Sequence, residues 1–64
     1  MYTVTFQNLQ CNEEVSRYFE TIKAARKWAG WLKKQTWTRQ VAIYRGQAGS
    51  LLIERTASVS ELAA

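Results

Sequence analysis

Lys23, Lys27 and Trp31 follow one another at intervals of four residues, and Lys34 stands three further on. Such intervals bring side chains onto one side of a helix, so the group amounts to three cations flanking an aromatic ring. Lysines arranged this way can hold phosphate oxygens while the indole stacks on a base or on a partner side chain. The same pattern also describes a solvated helix face on which Trp31 lies against lysine stems. The sequence leaves both readings open.

Other chemistry is scarce. One cysteine, Cys11, and no histidine exclude a Cys/His metal site within one chain and remove histidine-based acid–base pairs. Glu13 and Glu14 are sequence neighbours and would point apart in a strand, so they are expected to be solvated charges and not an acid–base couple. Cys11, close to both, lacks the electropositive surroundings of a reactive thiolate. Gly46 and Gly49 precede a strand and not a helix, so they make no phosphate loop. The chain is expected to be no enzyme and to need no cofactor or metal.

The elements that must position these residues follow from hydrophobic period. Residues 2–7 alternate bulky and hydroxyl side chains, which is the period of a strand. Residues 10–14 are polar and turn-like, and 15–19 read as a second strand forming a hairpin with the first. Thr21 is a suitable helix N-cap. Beyond it Ile22, Ala25, Ala29 and Leu32 recur at spacings of three and four, an apolar stripe on a helix spanning 22–35. Gly30 inside that helix points away from the sheet or lets something approach closely. Residues 36–38 are the exit, 39–45 a third strand, 46–49 a glycine-bearing turn, and 50–56 a fourth strand. The fold class is α+β, in the order β-β-α-β-β, with one amphipathic helix on one face of a small antiparallel sheet. Residues 1–57 form a single domain, and 58–64 are a tail in which Ser58 and Glu61 resemble a capping box.

Alternation then assigns the faces. Val4, Phe6, Val41 and Ile43 turn toward the helix, leaving Thr3, Thr5, Ala42 and Tyr44 outward. A turn over 46–50 pairs Ile43 with Ile53 and Arg45 with Leu51, and sets Tyr44 opposite Leu52. If Phe19 points inward, Tyr18 points outward and Arg17 reaches around an edge. Tyr18, Tyr44 and Leu52 thus form a second candidate contact patch, with Thr3 and Thr5 nearby, able to meet a partner or a second copy of the chain. Trp28 is expected in the core, and Trp37 is expected to close the core's open end.

The chain has 64 residues and a formal net charge of +4, with five of its nine cations between Lys23 and Lys34. That clustering suits an anionic partner, whether nucleic acid, an acidic protein surface or lipid headgroups. An unpaired cysteine and no visible signal peptide suggest the reducing cytoplasm, and no apolar run approaches a membrane span. A helix across a small β-β-α-β-β sheet resembles, in topology and size, many small phage and mobile-element proteins, anti-CRISPR inhibitors among them. That resemblance implies a binding protein that docks on a protein partner, such as a nucleic-acid-binding machine, and inhibits it. Direct nucleic-acid binding through the basic helix face is the alternative, and a homodimer is compatible with either.

Overall fold

The structure, a computed structural model, describes residues 1–47 and 51–58. Four strands and one helix follow in the order β1 (Tyr2–Asn8), β2 (Glu13–Phe19), α1 (Ile22–Leu32), β3 (Thr38–Arg45) and β4 (Leu51–Thr56). The sheet order is β2-β1-β3-β4, with every neighbouring pair antiparallel. Two hairpins are therefore joined through their first strands, and the helix lies across β1, β2 and β3. The expected class and element order hold.

Local chemistry explains the helix. Thr21 is extended, and its hydroxyl accepts the amide N–H of Ala24 at 3.2 Å, satisfying one of the free donors of the first turn. The buried stripe is Ala25, Ala29 and Leu32. Two alanines in that stripe let the helix backbone sit low on the sheet. Val4, Phe6, Val41 and Ile43 fill the space beneath, and Tyr2, Val15, Phe19, Ile22, Trp28, Trp37 and Ile53 pack around them. Each fully buried aliphatic side chain in such a layer contributes roughly 1.5–3 kcal/mol.

The helix ends at Leu32, three residues before the expected 35. Lys33, Lys34 and Gln35 all favour helix, so propensity does not stop it. Thr38 does: its hydroxyl donates to the carbonyl of Leu32, while the N–H groups of Lys34 and Gln35 bond to Trp31 and Leu32 in a tighter turn. This side chain belongs to the first residue of β3, which the sequence assigned to the exit. Glu13 and Glu14, expected in the turn, are the first residues of β2, and the hairpin loop is shortened to Leu9, Gln10, Cys11 and Asn12. Asn12 takes φ 56° and accepts from the Gln7 side chain at 2.9 Å, a conformation asparagine tolerates better than most residues.

Two irregularities alter the register. Between β1 and β3 the pairing jumps from Thr5↔Ala42 to Gln7↔Arg39, so Gln40 is an extra residue, held at φ 57°. Between β3 and β4, Tyr44 does lie opposite Leu52 and Arg45 opposite Leu51. Ile43, however, pairs with Glu54 and not with the expected Ile53, because Ile53 is the extra residue of a second bulge. The slip puts Glu54 on the helix side, where its carboxylate accepts from Arg26 at 3.0 Å.

Ser58 is buried and its hydroxyl donates to the Thr38 carbonyl at 2.7 Å. Residues 48–50 of the second turn and 59–64 of the tail, including Glu61, lie outside the described residues.

Candidate interaction surfaces

The candidate residues fall on opposite sides of the sheet. On the helix side, Lys23, Lys27 and Trp31 are exposed on one face of α1, and Trp31 keeps 51% of its surface in solvent. Lys34 is exposed as well, but it sits in the turn beyond Leu32 and not on the helix proper. On the sheet side the ladder sets Tyr18 opposite Thr3, Thr3 opposite Tyr44, and Tyr44 opposite Leu52. These four residues form one row across all four strands. Tyr18 is 58% and Leu52 43% exposed, whereas Tyr44 is half-buried.

Thr3 and Thr5 lie on the face away from the helix, as expected, yet both are buried. Thr3 stands directly between the rings of Tyr18 and Tyr44 in the ladder, and its hydroxyl donates to the Gly46 carbonyl. Thr5 and Ala42 line a recess of about 260 Å³, shared with Glu14, Gln40, Tyr44 and Arg55. It is mainly polar, and its charges are one carboxylate and one guanidinium.

The helix side carries a different recess. Phe19, Ala24, Lys27, Trp28 and Trp31 line an open hollow of about 420 Å³ that is almost wholly apolar. Its walls belong to a run of five rings. Phe19 meets Trp28 at 5.5 Å between centroids, Trp28 meets Phe6 at 5.6 Å, and Phe6 and Trp31 each meet Trp37 at 6.0 Å. Three of these contacts are edge-to-face, a geometry that contributes about 0.5–1.5 kcal/mol per pair beyond burial. Trp31 is thus propped by Trp37 and does not simply lie on lysine stems.

Arg17, expected to reach around the sheet edge, stays on the helix side, where its guanidinium stands 5.6 Å from the Phe19 ring and 5.2 Å from the Trp28 ring. The stacking holds a cation at the rim of the hollow. Lys27 supplies a second cation there. On the opposite flank Arg26 is neutralised by Glu54, the only ion pair among the described residues. The positive charge of the helix is therefore biased toward the β2 side. Sequence reasoning missed Arg17, Phe19, Ala24 and Trp28 as parts of this surface. Their signal was Arg17 and Phe19 two apart on one strand face, and Ala24 and Trp28 four apart on the helix.

Among the described residues no three Cys, His, Asp or Glu side chains converge as a metal site, and every buried side-chain N or O atom has a hydrogen-bond partner. Among the same residues no helix is long and apolar enough to cross a membrane. Comparison with protein-family models, curated proteins and solved structures gives no match for this chain.

Proposed function

We propose that this chain is a non-enzymatic binding protein that docks on a macromolecular partner through the helix-side hollow. The observation that carries the reading is an apolar recess between Phe19, Ala24, Trp28 and Trp31 with cations at its rim. Contiguous apolar surface with polar edges is the form interaction sites take, and half-exposed tryptophan is the residue type most often decisive in them. The occupant that fits is a protein surface offering an apolar side chain flanked by carboxylates. In this reading the partner belongs to a nucleic-acid-binding machine, which the bound domain inhibits by occlusion.

Direct nucleic-acid binding is the second reading, favoured by Lys23, Lys27 and Trp31 sharing one exposed face. It ranks lower because Trp28 is already engaged by Arg17 and Phe19. That leaves one ring open, where single-strand binders present successive platforms.

Fluorescence anisotropy with short duplex and single-stranded oligonucleotides at two salt concentrations separates the two. Three phosphate contacts by Lys23, Lys27 and Lys34 give a log–log salt slope near −2.7 on duplex DNA, at about −0.9 per contact. Tight binding with that slope, abolished by Lys23→Glu with Lys27→Glu, overturns the protein-partner reading. The expected result is weak oligonucleotide binding together with nuclease-resistant partner capture that Trp31→Ala and Lys27→Glu each destroy.

A further inference from the structure

The two edges of the sheet differ. β4 is bulged at Ile53, whereas β2 pairs with β1 without a break from Tyr2↔Phe19 to Asn8↔Glu13. β2 contains neither proline nor glycine, and among the described residues no strand lies on its outer side. It presents a straight row of backbone donors and acceptors, which is the template for strand addition. Proteins commonly blunt such an edge with a charge on the inward face. Arg17 is that charge, since it pairs with Val4 and so stands on the helix side of the sheet. An added strand is therefore tolerated only if it brings a carboxylate opposite Arg17.

The geometry points to a second copy of this chain as that strand, added antiparallel along β2 with Val15 on the two-fold axis. Residues of one face must meet residues of the same face, so an axis perpendicular to the sheet passes through a residue of β2. An axis at Glu14 sets that carboxylate against itself, and one at Arg17 opposes two guanidinium groups. An axis at Ser16 places Val15 opposite Arg17 and Glu13 opposite Phe19, leaving every charge against an apolar group. Only the axis at Val15 sets Glu13 of each copy opposite Arg17 of the other, with valine against valine between them and Glu14 opposite Ser16. Opposite charges directly across a ladder attract, and like charges repel. Glu13 and Arg17 are both exposed, and neither makes an ion pair with another described residue of its own chain. The product is one continuous eight-stranded sheet with both helices on the same side.

Analytical ultracentrifugation of the intact chain tests this. The wild type should show a monomer–dimer equilibrium that weakens with salt, and a chain that stays monomeric to millimolar concentration overturns the proposal. Glu13→Lys changes an exposed side chain and should weaken the dimer about tenfold or more, since it turns two attractive pairs into repulsive ones. Arg17→Glu should do the same. The two together should restore association, and a double variant no tighter than the single ones overturns the register; circular dichroism confirms that each variant is folded. A second readout does not depend on charge. In a Cys11→Ser background, Val15→Cys should form a disulfide-linked dimer under mild oxidation. Facing residues in an antiparallel ladder have Cα atoms about 4.5–5.5 Å apart, within the range a disulfide spans. Ser16→Cys should not link, because its own copy is displaced along the ladder. Equal linking at both positions overturns the assignment of the axis.

Discussion

Gly30 offers a change whose sign is fixed by the structure. It lies inside α1, and a Cβ built there meets no heavy atom within 4 Å. Gly30→Ala therefore adds no packing and no clash, and what remains is backbone entropy. Glycine in a helix interior costs about 0.8–1.0 kcal/mol relative to alanine. The position is near the end of the helix, where fraying takes part of the effect, so the expected gain is about 0.5–1 kcal/mol. Unfolding entropy near about 2.1 cal/mol/K per residue makes this a rise in Tm of roughly 4–7 °C for 64 residues. Differential scanning calorimetry or a circular-dichroism melt measures it directly. An unchanged or lowered Tm refutes the reasoning, because it requires something to occupy the space above Gly30. At about 100° per residue the same position falls some 20° to one side of Lys23, at the margin of the basic face. If a partner approaches there, Gly30→Gln should weaken partner capture although the free domain is no less stable.

Ala25 is fully buried against the sheet, so Ala25→Asp should unfold the domain or nearly so; an unpaired buried carboxylate costs several kcal/mol, comparable with the whole stability of a small domain. A melting point within a few degrees of wild type contradicts the placement of the helix face. Gln40 holds a left-handed backbone at its bulge, and Gln40→Val should cost about 1–2 kcal/mol in urea unfolding, as a β-branched side chain is poorly tolerated there. Loss of less than a few tenths means the bulge moves to accommodate valine. Tyr44→Ser combined with Leu52→Ser removes half of the outer row and should leave the fold intact. Pull-down through the helix-side hollow should persist in that variant, and its loss moves the interface to the open face of the sheet.

Much of this architecture is legible in local pattern. Alternation in β1 and the stripe of Ala25, Ala29 and Leu32 are sequence-local, so they place the strands and the buried helix face correctly. Gly46 takes a positive φ of 84° where the sequence places the second turn, and Tyr44 meets Leu52 as expected. The misses share a cause, which is that each depends on a distant group. The helix stops at Leu32 because a threonine six residues later takes its carbonyl. The bulge at Ile53 turns Glu54 toward Arg26 of the helix, 28 residues away in sequence. Periodicity cannot register either event. The candidate surface divides in the same way. Lys23, Lys27 and Trp31 are visible as one helical face, but the hollow exists only because Phe19 and Arg17 of β2 arrive beside Trp28. Tyr18, Tyr44 and Leu52 come from three strands, and their alignment into a row could be drawn only once the strand order was known.

The run of rings from Phe19 to Trp31 also makes the domain its own optical probe. Its three indoles occupy distinct settings, with Trp28 beneath a guanidinium, Trp37 enclosed between two rings, and Trp31 half in water. Trp31 and Trp37 are close enough for their transitions to mix, so the pair should give a signed couplet in the circular dichroism of the indole bands that vanishes in Trp31→Phe. An occupant of the helix-side hollow dehydrates Trp31 and shifts its emission to the blue. A ligand on the tyrosine row, on the far side of the sheet, leaves that emission where it was. A single unlabelled titration can therefore report both that something has bound and on which side of the sheet it sits.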